Sequence, residues 1–123
     1  MSVDGLKPLV WIASSLRDLR EFPDAVKRDM GSALLSAQKG SFAHGVKPLK
    51  GFGGAGVLEI VEDHDGDTFR AVYTVRFATA IYVLHAFQKK SKRGMETPKH
   101  DVDLIRSRMA LAEERHKQSM RAP

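Results

Sequence analysis

The chain contains no cysteine, which removes disulfide frameworks, thiol nucleophiles and zinc knuckles from the possible functions. It also fits a reducing compartment, so a cytoplasmic location is expected. Long apolar runs are missing too. The longest near the N-terminus, Leu9 to Ala13, is too short for the core of a signal peptide or for a membrane span. His44, His64, His100 and His116 fall at positions with no metal-ligand spacing, so no metal and no other cofactor is expected. The glycine-rich stretch GSFAHGVKPLKGFGGAG, residues 40–56, holds six of the ten glycines but lacks the GK(S/T) ending of a phosphate-binding loop. It reads as a flexible connector in which Lys47 and Lys50 stay within reach of a phosphate. No internal repeat is visible. These exclusions leave a soluble chain with no membrane partner.

What is present is ordinary in amount and uneven in place. With 123 residues and 42% apolar content, the chain forms one domain able to bury a single core. Net charge is +5. Residues 1–62 carry 8 Lys or Arg against 7 Asp or Glu, and residues 63–84 carry 2 against 3. Residues 85–123 carry 10 against 5 and so hold the whole surplus. An anionic partner is expected, nucleic acid before membrane, because no strongly apolar amphipathic face accompanies the charge. The densest part is Lys89, Lys90, Lys92 and Arg93, set between an apolar strand and a helix start. Cations held between two ordered elements can be aimed at phosphates, whereas a merely solubilising lysine loop needs no such placement.

Periodicity supplies the elements. PLVWIA, residues 8–13, reads as a short buried strand. Ser14 or Ser15 can cap a short helix that Pro23 stops. A second helix follows with Val26, Met30, Ala33, Leu34 and Ala37 on one face, and it should end by Gly40. Residues 57–62 form a strand leading into DHDGD, where Asp65-Gly66 signals a hairpin turn. Phe69 to Phe77 alternates, with Phe69, Ala71, Tyr73, Val75 and Phe77 on one face and Arg70, Val72, Thr74 and Arg76 on the other. Ala80 to Phe87 is nearly continuous apolar and reads as an inner strand. Thr97 and Pro98 open a last helix packed through Val102, Ile105, Met109 and Ala112, with a tail fraying over about 117–123. The fold class is therefore α+β: an N-terminal strand, a helical hairpin, a three-stranded antiparallel meander and a C-terminal helix, with the helices on one side of the sheet.

This order, together with FRAVYTV, YVLHAFQKKSKRG and TPKHDVDLIRSRM, resembles the RelE/ParE superfamily of bacterial toxins. The nearest branch is the phage-derived, HigB-like toxins of type II toxin-antitoxin systems. The resemblance is strong over residues 48–109 and holds in layout before that. It implies a single RelE/ParE-like domain over 1–123. It also implies cleavage of messenger RNA in the ribosome without a metal, and a helix-turn-helix antitoxin as the neutralising partner. The family's arginine on the FRAVYTV strand falls on Arg70, and its basic residues after the next strand fall on Lys89 and Lys90. Two features depart from the pattern. The preceding strand, VLEIVE, has Glu59 where relatives carry lysine, and no tyrosine follows Tyr82.

Cleavage without a metal uses the ribose 2′-OH as nucleophile. A guanidinium fork on the non-bridging oxygens balances the charge of the transition state, and Arg70 suits that task. Arg76 lies about 20 Å further along the same strand face, too far to share that phosphate but able to bind RNA elsewhere. Lys89 and Lys90 would orient the backbone or protonate the leaving oxygen. His85 suits acid or base work by its ordinary pKa, although a histidine inside an apolar strand is more often a hydrogen-bonded structural residue. Alternation puts it on a face with Ile81, Val83 and Phe87. Glu59 reads equally as a base facing Arg70 or as its cross-strand ion-pair partner. Lys92 and Arg93 suit RNA phosphate contacts. Two other functions fit the same sequence: a ParE-like inhibitor of DNA gyrase, and a non-catalytic RNA-binding module.

Overall fold

The computed structural model describes residues 5–89 and 97–121. Strand β1 (Leu9–Trp11) leads into α1 (Ser15–Arg20) and α2 (Asp24–Gln38). Four strands follow: β2 (Val46–Pro48), β3 (Val57–His64), β4 (Asp67–Thr74) and β5 (Ile81–Lys89), and then α3 (Lys99–Arg121). They build one five-stranded sheet in the order β1-β5-β4-β3-β2. The β2 to β5 pairings are antiparallel, and β1 joins β5 in parallel. The architecture is mixed α+β, and the meander of β3, β4 and β5 is its centre.

The helices do not share one side. Val26, Met30, Ala33, Leu34 and Ala37 of α2 are all buried, and they pack with Leu19 and Phe22 against Ile60, Ala71, Tyr73 and Val83. On the opposite face Ile105, Met109 and Ala112 of α3 pack against Val57, Val72, Tyr82 and Leu84. The expectation of helices on one side is thus corrected. The reason lies in the strands: every residue from Thr68 to Thr74 and from Ile81 to Ala86 is buried, and a sheet buried on both faces needs cover on both.

Four smaller corrections follow from local geometry. Val72 pairs with His85 but Tyr73 pairs with Val83, so Leu84 is an extra residue in β5. Such a bulge resets the alternation. His85 therefore shares the α3 face with Phe87 and not with Ile81 and Val83, which belong to the α2 face. The glycine-rich connector contains the edge strand β2, and its remainder is fastened at several points. Leu49 N–H donates to Val57 O, Thr74 Oγ1 to Ala55 O, and Arg106 Nη2 to Gly51 O at 3.0 Å. Gly51 adopts φ +95°, and a Cβ there would meet Arg106 Nη2 at 3.2 Å, so glycine is what lets α3 reach the loop. Strand β4 stops at Thr74, and Phe77 turns to the α3 side, edge-on to Tyr82 and against His116. Finally, α3 stays helical through Arg121 instead of fraying after His116.

The expected hairpin turn is present. Asp65 and Gly66 have φ of +48° and +87°, the double left-handed geometry of a two-residue turn matched to the twist of its strands.

Candidate functional site

On the α3 face of the sheet, three polar side chains stand at positions that strand periodicity sets and apolar residues would ordinarily fill. Glu59 of β3 and Arg70 of β4 sit diagonally, since Glu59 pairs with Val72 and Arg70 with Val61. His85 of β5 lies opposite Val72. Glu59 is 1% exposed, Arg70 3% and His85 5%. Charged groups buried this deeply must be paired, because an uncompensated charge away from water costs several kcal/mol.

They are paired, in two clusters. In the first, Arg70 Nη1 donates to Glu59 Oε1 at 3.1 Å, and Thr97 Oγ1 donates to Glu59 Oε2 at 2.6 Å. Arg70 Nη1 also donates to Thr97 Oγ1 at 3.3 Å. Of the two readings of Glu59, the ion pair is thus the one in place. Thr97, expected to open the last helix, uses its hydroxyl to tie the start of α3 to the sheet.

In the second cluster, Asp101 Oδ1 lies 2.8 Å from His85 Nε2, and Arg108 Nη1 lies 3.1 Å from His85 Nδ1. A guanidinium can only donate, so Nδ1 is the acceptor and Nε2 carries the proton that Asp101 receives. Arg108 also donates to Leu84 O and to Ser14 Oγ, which in turn donates to Asp18 Oδ2 at 2.7 Å. Burial pushes the His85 pKa below its ordinary value, opposed by the hydrogen bond and charge of Asp101 and reinforced by the Arg108 charge. Burial likewise lowers Arg108, with Asp18 opposing. The ring is therefore neutral, one tautomer, and held on both nitrogens. It stacks on Phe87 at 4.8 Å between centroids.

Beside the first cluster opens a cavity of about 470 Å³ between the β2 edge, the loop after it and the start of α3. Glu59 and Thr97 form part of its lining, Leu49 and Val102 supply apolar wall, and Lys47 and Lys50 bring charge. Lys47 lies directly opposite Glu59 across β2 and β3. Both lysines are exposed. A cationic rim over an apolar wall and a buried carboxylate can hold a flat polar group attached to a phosphate.

The remaining expected residues spread out. Lys89 closes β5 opposite Thr68, two residues beyond Phe87, which faces Arg70. Alternation gives Lys89 the same face as Arg70. Arg76 is engaged elsewhere: Nη1 donates to Glu113 Oε1 at 2.8 Å, toward the C-terminal half of α3. Lys90, Lys92 and Arg93 lie outside the described residues. Among the described residues no three His, Cys, Asp or Glu side chains come together to hold a metal ion. No described helix is long and apolar enough to cross a membrane.

Sequence reasoning missed Asp101 and Arg108, and it named Ser14 only as a helix cap, not as a partner of Arg108. Arg108 carried a signal: it falls one turn after Ile105 on the packing stripe of α3, where a charged residue must find buried partners. Asp101 and Ser14 carried none, since each is an unremarkable residue near a helix start.

No curated protein and no solved structure matches the chain. A family model does match, that of the phage-derived protein Gp49-like family (DUF891), over residues 17–110. That span runs from α1 into α3 and includes the cavity and every member of the two polar clusters except Ser14. The chain therefore belongs to the phage-derived Gp49-like family, a toxin-like family of the RelE/ParE type.

Proposed function

We propose that the chain is the toxin of a type II toxin-antitoxin system, HigB-like in branch, that cleaves messenger RNA on the ribosome and so stops translation. The observation that carries this reading is the meeting of Glu59, Arg70 and Thr97 beside a lysine-rimmed cavity, with His85 and Asp101 paired on the same sheet face. Acid-base groups next to cations are what 2′-OH chemistry requires. The ribose oxygen attacks the adjacent phosphorus, the P–O5′ bond breaks, and a 2′,3′-cyclic phosphate and a 5′-hydroxyl result. His85, held on both nitrogens, does not take the proton directly. It fixes Asp101, whose side chain is 17% exposed and supplies the nearby carboxylate that can. Lys89 and the Lys90 beyond it orient the backbone or protonate the departing oxygen, and Lys47 and Lys50 hold flanking phosphates. A helix-turn-helix antitoxin would neutralise the protein in its host.

Because Arg70 is buried in an ion pair, Arg70→Ala would damage fold and site together. The cleaner test is Lys47→Ala with Lys50→Ala, two exposed positions whose loss leaves the core intact. Inducible expression of wild type should arrest growth, with codon-phased cuts in mapped 5′ ends of transcripts. The double variant should cut about tenfold less, the scale of lost charge-assisted phosphate contacts. Arrest with DNA damage and intact transcripts would replace this reading with gyrase inhibition.

A further inference from the structure

We infer that the exposed guanidinium of Arg106, held flat on the Phe52 ring at the rim of the cavity, is a stacking platform for one unpaired RNA base. The inference rests on the RNA reading above and adds to it a contact that does not depend on base identity. The platform is built in layers. Phe52 packs on the apolar cluster between α3 and the sheet. The central carbon of the Arg106 guanidinium stands 4.7 Å from the centroid of the Phe52 ring, within reach of a cation–π contact. Arg106 Nη2 also donates to Gly51 O at 3.0 Å, so the group is fastened in the plane it occupies. Phe52 covers one face and the side chain is nonetheless exposed, which leaves the other face turned to solvent. Among the described residues Arg106 forms no ion pair. The carboxylate of Asp103, on the preceding turn of α3, is engaged by Lys99 at 2.8 Å.

The surroundings give that open plane a ligand. Val102, one turn before Arg106 on the same face of α3, lines the cavity, as does Gly51. Lys50, next to Gly51 in the chain, and Lys47 line it as well, and both are exposed. A base laid on Arg106 therefore has two cations beside it for the flanking phosphates. Sites for single-stranded nucleic acid combine these two parts, a basic groove for the backbone and a flat surface for the bases. Arginine planes serve as that surface in RNA recognition as aromatic rings do. A residue needed only to fasten the loop, or only to attract a phosphate, requires a donor or a charge but no plane. Lysine supplies the charge without the plane, so the two roles can be separated.

The test is direct binding, measured by fluorescence anisotropy with two pentamers. One is 2′-O-methyl AAAAA, which cannot be cleaved, and the other is the same sugar-phosphate chain without bases. Wild type should bind the adenine strand about tenfold tighter than the base-free chain, the scale of one stacked base. Arg106→Lys should lose most of that preference, while its affinity for the base-free chain and its salt dependence stay those of wild type. Should that variant unfold, Phe52→Leu keeps apolar packing under the loop and removes the ring that holds the guanidinium flat. It should lose the preference in the same way. Wild-type affinity of Arg106→Lys for the adenine strand would overturn the inference, because charge alone would then suffice. Equal weakening on both chains would overturn it too, since the lost contact would be to phosphate. So would a wild type that fails to bind the adenine strand or binds both chains alike. Failure here is separable from failure of the toxin reading. Codon-phased cleavage in cells without the base preference sinks only the platform, and the base preference without cleavage in cells sinks only the RNase.

Discussion

The two faces of the sheet are held to their helices by different physics. Under α2 the contact is apolar throughout: Val26, Met30 and Leu34 meet Ile60, Ala71, Tyr73 and Val83. The hydroxyl of Tyr73, buried there without a hydrogen-bond partner among the described residues, has its pKa pushed up to about 12 by that burial. Under α3 only Ile105, Met109 and Ala112 make the corresponding apolar contact. The rest of that interface is polar: Thr97 on Glu59, Asp101 on His85, and Arg108 on Leu84 O and Ser14. Apolar packing gains stability in proportion to area and tolerates small shifts. A buried polar interface contributes little net stability and fixes atoms in space. One face keeps the domain folded. The other holds polar groups at fixed positions.

The largest effect expected from this difference concerns the ion pair. Arg70→Ala leaves Glu59 buried without its cation and should cost about 3–5 kcal/mol in chemical denaturation. Arg70→Met combined with Glu59→Leu removes both charges and should restore most of that loss, because an apolar replacement of a buried pair is often neutral or better. RNA cleavage should be absent in both proteins. If the double variant stays as unstable as Arg70→Ala, the pair is a stabilising element in its own right and the contrast between the faces fails.

Much of the apolar face was legible from sequence. All five α2 residues chosen by three- and four-residue spacing are buried, and so are Ile105, Met109 and Ala112. Periodicity reports burial well because burial is what produces it. The polar face was only half legible. Arg70, Glu59 and His85 drew attention as polar residues in strands, but their partners come from elements 16 to 38 positions away in sequence. The bulge at Leu84 was invisible too. It changes no residue type, yet it decides that His85 faces α3, so the alternation argument placed the histidine with the wrong neighbours. β2 was hidden because its three residues, VKP, end in a proline. Only a sheet edge accepts that.

A smaller effect sharpens the comparison through pH. His85 has a folded pKa below its unfolded value of about 6.5. As pH falls below that value the unfolded chain takes up a proton that the folded chain refuses, so stability is present above about pH 6.5 and lost as pH drops toward the folded pKa. Glutamine can mimic the neutral ring, donating to Asp101 and accepting from Arg108, without titrating. Thermal melts at pH 7.5 and pH 5.5 should therefore show a larger drop for wild type than for His85→Gln. Parallel drops would mean that His85 is not the group linking acid to the polar face.

The α2 side carries a linkage of opposite sign, at its rim and not in its core. Glu62 on β3 has its pKa raised to about 7 by burial, by a hydrogen bond with Asp29 of α2 and by the Asp29 charge. A raised carboxyl pKa means that the folded state holds a proton the unfolded state has released. Its contribution is full below the unfolded value of about 4.5 and is lost as pH rises through about 7. Glu62→Gln keeps a hydrogen-bond donor for Asp29 and removes the charge. The variant should melt higher than wild type at pH 8 and indistinguishably from it at pH 5, a gain on the order of 1 kcal/mol or less, the scale of partly exposed charge pairs. RNA cleavage should not change, because this rim lies across the sheet from the two polar clusters. A loss of cleavage in Glu62→Gln would mean that the two faces are coupled through the sheet, and the division of labour between them would have to be abandoned.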